Sequence, residues 1–507
     1  MIPIGETRDG RSDMTNFEMD LFDTRIHSSE RDQSDKPPCG KNGFIKPACF
    51  PISVIAIFIF MVIFFPMLND DYFDLPIEPW EKSGVCNLEC SIHIVESIPE
   101  NLTYESAAPR YMSTYEAWQR IISNAQSSID FASFYWSLRA SDVINFTDPT
   151  ASQGERIFSL IKVAGKRGVK IRIVQDVPGP DEPSHDTRRL VKAGLAKVRS
   201  LNMTRFFGAG ILHTKFILVD GKQLYIGSAN MDWRSLTQVK EIGVLLENCR
   251  CLGLDIWKIF EVYWKMGEPG AELPMKWPYR LRTTFNEQTP LKIKLNGTQY
   301  LAYISSSPPQ FSPKGREQDI AAVLHTINAS QQFIHIAVMD YLPVFLYTKN
   351  KKYWPLIDTA LRTAVYERGV EVKILVSKWS HSRPEMLDFL RSLTTINPAT
   401  KPGRIAVKEF VVPIYSHRQS ITPYSRVNHN KYMVTENAAQ ICTSNWAGDY
   451  FTVTGGVSLV VRRKESNSPF PVVTDLVSQL NDVFMRDWDS PYATPLAPQS
   501  ELQWEQE

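Results

Sequence analysis

The chain has 507 residues, 43% hydrophobic and 22% charged, the composition of an ordinary globular protein with room for two or three domains. Its 56 Lys and Arg against 55 Asp and Glu leave a net charge of +1, which excludes a globally basic nucleic-acid binder. Any polyanion must be held by a local patch.

Residues 1–46 are polar, mixed in charge and without apolar periodicity, and read as a disordered tail. Residues 47–68 carry no charge, and 52–65 are almost wholly Ile, Val, Phe and Met, long enough to span a bilayer. A cleaved signal peptide competes, but its charged leader is normally short and this stretch starts too far in; a buried core helix is the other reading. Lys36, Lys41 and Lys46 precede the span while Asp70, Asp71 and Asp74 follow it, so the N-terminus is expected in the cytoplasm and everything after the span on the luminal side. N-x-S/T sequons at Asn101, Asn145, Asn202, Asn296 and Asn328 all lie after the span, as expected of a glycosylated ectodomain.

Cysteines agree with that compartment. Cys86 and Cys90 form one close pair and Cys249 and Cys251 another; in an oxidising lumen they are expected to link the two clusters, with a zinc site as the alternative. Cys39 and Cys49 are palmitoylation candidates or bystanders, and Cys442 is expected as a free, buried thiol.

Residues 69–84 are Pro-rich and acidic, a stalk. Beyond them, helices are predicted over 115–124, 156–167 and 188–197 and strands over 128–135 and 169–174, an alternation that indicates α/β domains with a central sheet. The second half replays the first: 329–339 corresponds to 125–135, 368–370 to 167–169, and His429 to His213. The offsets are 204, 201 and 216, and the larger last value marks an insertion between Leu390 and Arg426. Residues 85–285 and 286–490 are therefore expected to be duplicated domains. A closing helix over 472–486 and a disordered tail over 491–507 complete the chain. Tyr135, Trp136, Trp233, Tyr450 and Phe451 fall near strand ends, where core packing is the more frequent role and base stacking the other.

The chemistry lies in residues 213–220, H-T-K-F-I-L-V-D, with Asn230 following in G-S-A-N. Side chains alternate along a strand, so His213 and Lys215 project to one face at the start of a buried apolar run that ends in Asp220. An imidazole, an ammonium and an amide together suit a phosphate: Lys215 and Asn230 grip oxygens while His213 attacks phosphorus or moves a proton. A lone H-x-K is weak. Its weight comes from a second copy, H-N-K-Y-M-V-T-E over 429–436, with His429, Lys431 and Glu436 in the matching places and Asn445 after them.

The paired motifs, with residues 227–241 and 426–436 around them, resemble the phospholipase D superfamily over roughly residues 85–490. They are most similar to its membrane-anchored endolysosomal branch of 5′-exonucleases acting on single-stranded DNA and RNA. The resemblance implies two α/β/α domains related by a pseudo-twofold, with the active site at their junction. It assigns His213 as the nucleophile, forming a phosphohistidine, and His429 as the general acid and base. Lys215, Lys431, Asn230 and Asn445 would stabilise phosphoryl charge without a metal, and no cofactor is expected. Two departures stand out: Glu436 replaces an Asp, and Asn445 lies sixteen residues after its His against seventeen in the first motif. Asp220 and Glu436 are better taken as orienters than as acids. The implied partners are single-stranded nucleic acid and a membrane held by one helix, with a phospholipid substrate and a homodimer as further candidates. The expected location is the lumen from endoplasmic reticulum and Golgi to late endosome and lysosome. A transphosphatidylase and an inactive membrane glycoprotein are the alternative functions.

Overall fold

Phe216–Val219 is a run of four fully buried apolar residues, so it needs sheet partners on both edges and cover on both faces. It pairs antiparallel with Ser128–Ser133 on one side and Gln223–Gly227 on the other. The computed structural model describes residues 54–55, 57–58, 77–180, 183–348, 351–397, 403–464 and 475–496. The chain separates into two units, Met1–Phe73 and Asp74–Glu507, and everything below concerns the second. Among the described residues no helix is long and apolar enough to cross a membrane. The span expected over 47–68 lies outside them, except for helical Val54, Ile55, Ile57 and Phe58.

The sheet continues outward from Ser128–Ser133 through parallel Lys170–Asp176 and Lys197–Leu201. In the other direction Gln223–Gly227 leads antiparallel to Glu241–Glu247 and then to Val85–Ser97. In the second half Lys431–Thr435 lies antiparallel between Phe333–Val338 and Ala438–Cys442. Phe333–Val338 leads to parallel Glu371–Ser377 and Arg404–Phe410, and Ala438–Cys442 to antiparallel Gly456–Arg463 and Thr298–Ser307. The two runs meet through Leu291–Leu295, parallel to Val85–Ser97 and antiparallel to Thr298–Ser307.

Helices cover the sheet where their apolar stripes dictate. Thr114–Ser123 starts on a Ser113–Glu116 capping box and buries Trp118, Ile121 and Ile122. Ser152–Lys166 begins earlier than the apolar spacing alone predicts, because Asp148 first caps a short 3-10 turn that runs into it. The helix predicted over 188–197 is shorter, His185–Lys192, and Lys197 already starts a strand. The closing helix is Leu476–Trp488. The predicted disordered tail is corrected in its described part: Ala493–Pro495 adds an edge strand to Arg404–Phe410, which satisfies backbone groups that edge would otherwise expose. The end of the stalk is likewise structured, with Glu78 and Glu81 of the Pro79–Ser83 region paired to Arg250 and Lys258.

Cys86 is bonded to Cys251 and Cys90 to Cys249, so both disulfides join the two clusters, and Cys442 is free and buried. They tie Val85–Ser97 to the Arg250–Met266 helix across separations of 165 and 159 residues. Replacing Cys86 and Cys251 together by Ser should lower unfolding stability by ~2–5 kcal/mol, read from a denaturant titration under oxidising conditions. An unchanged midpoint would mean that the bond is not formed in the native protein.

Candidate active site

Each histidine is pinned by the backbone of the other half. His213 N–H donates to the Gly455 carbonyl at 2.8 Å, and His429 N–H donates to the Lys240 carbonyl at 2.8 Å. Parallel bridges Leu212↔Gly455 and Lys240↔Asn428 frame these contacts. Neither histidine is therefore positioned by its own half alone. Within each motif the lysine bends back to its histidine: Lys215 Nζ donates to the His213 carbonyl at 2.6 Å, and Lys431 Nζ to the His429 carbonyl at 2.8 Å. All four side chains are buried.

The two histidines are not equivalent. His429 Nδ1 lies 2.8 Å from Glu241 Oε2, a carboxylate from the first half with no solvent exposure. Ser228 and Ser235 hydroxyls donate to the same carboxylate at 2.6 and 2.9 Å and hold it in place. The buried Lys240–Asp487 ion pair, 2.8 Å, anchors the residue just before it to the closing helix. Eleven residues after Asn230 stands Glu241, whereas eleven after Asn445 stands Gly456. A Cβ there would sit 2.2 Å from Ser444 Oγ and 3.0 Å from Ser307 Oγ, so no carboxylate fits. His213 instead lies against the rings of Phe134 and Tyr450, with centroids 5.5 and 5.1 Å away.

This asymmetry sets the electrostatics. Burial, reinforced by Lys215, Lys431 and His429, holds His213 well below the usual imidazole value. Burial brings His429 down to about 4, with Glu241 pulling it up and Lys431 pulling it down. Burial alone would raise the Glu241 carboxyl, but His429, Lys431 and Ser228 outweigh it and keep the group below the ordinary carboxylate value. Lys431 is lowered by burial to about 8, against the pull of Glu241 and Asp340.

Asn230 Nδ2 donates to the Tyr135 hydroxyl at 3.4 Å, which itself donates to Asp232. Asn445 Nδ2 donates to Asp340 Oδ2 at 2.9 Å, with the Tyr450 hydroxyl 3.3 Å away. Asp220 and Glu436 stand at the far ends of the motif strands, where they orient main chain and meet neither histidine. Asp220 accepts from the backbone of Gln126, Ser127 and Ser128, and Glu436 from that of Gln331 and Phe333, so both fix the turns that lead into neighbouring strands. Trp136, Trp233 and Phe451 are core residues, and Tyr450 meets the ring of His213. The sequence reading missed Glu241 and Asp340. An acid opening the apolar run I-G-V-L-L was the signal available for Glu241.

Among the described residues no group of three or more His, Cys, Asp and Glu side chains is placed to hold a metal ion. All five sequon asparagines are exposed, although the Asn296 amide bonds both backbone groups of Ile92.

Residues 105–415 match the family described as PLD3/4, PLD-like domain. The chain belongs to the phospholipase D family. Within it, the chain is 44% identical over 520 residues to a Caenorhabditis elegans protein named "Probable phospholipase D F09G2.8", covering 97% of this chain and 89% of that one. It is 45% identical over 427 residues to the Homo sapiens "5'-3' exonuclease PLD3", covering 84% and 85%, and 46% identical over 408 residues to the Xenopus laevis protein of the same name, covering 80% and 81%. The fold is also that of the Haemophilus influenzae phosphatidylserine synthase crystal structure, with a TM-score of 0.50 at 11% identity over 75% of this chain and 85% of that one. For this branch of the family, paired H-x-K motifs explain the four central side chains, and Glu241 is the group that makes the pair unequal.

Proposed function

We propose that the protein is a phosphodiesterase that acts as a 5′-to-3′ exonuclease on single-stranded DNA and RNA. The observation that carries the reading of the chemistry is the Glu241–His429 pair opposite a His213 that has a glycine in the corresponding place. A carboxylate on Nδ1 orients an imidazole and stabilises its protonated form, which suits the acid that protonates a leaving oxygen. A neutral imidazole among cations suits the nucleophile. His213 attacks phosphorus as the P–O bond to the leaving strand breaks, and His429 gives that oxygen its proton. Water then attacks phosphorus and displaces His213 as the N–P bond breaks, with His429 taking a proton from that water. Lys215, Lys431, Asn230 and Asn445 stabilise the phosphoryl oxygens.

The exonuclease reading rests on the relatives named 5'-3' exonuclease PLD3. A second reading, a phospholipid hydrolase or transphosphatidylase, rests on the relative named for phospholipase D. We further infer two duplicated domains, 85–285 and 286–490, related by a pseudo-twofold, which the matching strand successions favour. One-sided sequons and the two disulfides favour a glycosylated luminal ectodomain behind a signal anchor, in the route from endoplasmic reticulum and Golgi to lysosome. The purified protein is expected to shorten a single-stranded oligonucleotide from its 5′ end and to leave a phosphatidyl substrate intact. Activity should persist in a chelator, since lysines supply the positive charge. Turnover of the lipid alone would replace the nuclease reading.

A further inference from the structure

The loops that follow corresponding parallel strands differ sharply between the halves. After Lys170–Asp176 the first half continues V-P-G-P-D-E-P, without a ring or a cation. After Glu371–Ser377 the second half continues K-W-S-H-S-R. Trp379 packs on His381 with ring centroids 4.7 Å apart, and His381 stacks on Tyr424 at 4.9 Å and 20°. Arg383 lies over the Tyr347 ring at 5.7 Å. His381 and Arg383 are exposed, and Tyr424 and Tyr347 are about half exposed at 54% and 52%.

Burial does not explain Tyr424. Its φ is +52°, a left-handed conformation that a bulky residue adopts only against steric cost. Strain of this kind, retained to present an aromatic ring to solvent, marks a functional constraint better than a packing one. Tyr424 lies in the segment inserted between Leu390 and Arg426, and its neighbours span both halves. The Arg234 guanidinium donates to the Pro423 carbonyl, and Arg426 N–H to the Gln238 carbonyl.

Two contacts relate the loop that carries this stack to the candidate site. Ser377 Oγ, next to this loop, accepts from Asn428 N–H, one residue before His429. From the other direction the Tyr347 ring meets Tyr450, and Tyr450 meets His213. Exposed rings with a cation in the same loop, bonded beside a phosphodiester site, have the character of a single-strand track: bases stack on the rings and Arg383 meets the backbone. We propose that Trp379, His381 and Tyr424 form a stacking platform for the nucleotides of single-stranded nucleic acid beyond the scissile phosphate, on the second half only. Its one-sidedness gives the bound strand a direction. The proposal rests on the exonuclease reading above.

The test compares the full chain with Tyr424→Ala, His381→Ala and Tyr424→Trp on two substrates, a nitrophenyl ester of a nucleoside phosphate and single-stranded oligonucleotides from two to about ten nucleotides. In the wild type kcat/KM should rise with oligonucleotide length. In Tyr424→Ala and His381→Ala that gain should be lost, with KM for the long oligonucleotides up roughly tenfold per lost stacking contact. Their kcat on the small ester should stay unchanged, and Tyr424→Trp should retain the gain. Unchanged KM on long oligonucleotides, or an equal loss on ester and oligonucleotide, would overturn the platform. So would a changed sedimentation coefficient with unchanged KM, which would assign the rings to a second copy of the chain. A wild type that cleaves the ester and no oligonucleotide of any length would instead overturn the nuclease reading itself.

Discussion

Alanine at either His213 or His429 is expected to lower kcat/KM on a single-stranded oligonucleotide by at least about 10³-fold, with little loss of folding stability. One variant lacks the atom that bonds to phosphorus, and the other lacks the acid that lets the leaving oxygen depart. Each side chain faces the crevice and its position is set by main-chain bonds, to Gly455 and to Lys240, that alanine keeps. The two losses should not add, because the histidines serve a single displacement; the double variant should be about as slow as either single one. Rapid quenching in acid-free conditions should trap a phosphorylated protein in the wild type and none in His213→Ala. A labelled intermediate in His213→Ala would transfer the nucleophile's role to His429.

Glu241→Gln should lower kcat by roughly 10²–10⁴-fold while leaving KM within a few-fold, as expected when an imidazole loses the carboxylate that orients it. Its pH profile separates this from a merely structural defect. His429 must be protonated when the leaving group departs, so activity falls as pH rises through its pKa. His213 must be neutral, so activity falls as pH drops through its own. Burial holds both imidazoles below their ordinary value, and Glu241 pulls His429 up against it while no carboxylate bonds His213, so the protonated form is favoured at His429 over His213. A bound phosphodiester anion raises both. The result is a bell with its maximum on the acidic side of neutrality, and its limbs belong to the coupled pair. Glutamine removes the anion that favours imidazolium, so the alkaline limb should move to lower pH. Measuring kcat/KM from about pH 4 to pH 9 for both proteins decides it. An alkaline limb that stays in place, or a rate that climbs steadily with pH, would take Glu241 and a protonated His429 out of the mechanism.

Much of the site was legible in the linear chain because its key spacings are local. His213 and Lys215 share a strand face through the two-residue alternation of extended backbone, as do His429 and Lys431, and repetition made chance an inadequate explanation. The pairing of cysteine clusters followed from compartment, and the helices and strands from apolar period. Partners far apart in sequence were another matter. Glu241 and His429 are 188 residues apart and belong to different halves, so only the packing of one half on the other brings them to 2.8 Å. The same packing decided which cysteine meets which, since every connectivity had compatible spacing until Val85–Ser97 was laid beside the Arg250–Met266 helix. It also moved Asp220 and Glu436 out of the site: a motif records that an acid ends the strand, while the length of that strand carries the acid away from the histidine at its start. Local periodicity was thus enough to name the histidine and lysine candidates. Their inequality, on which the proposed order of chemical steps rests, depended on contacts between segments that no local pattern relates.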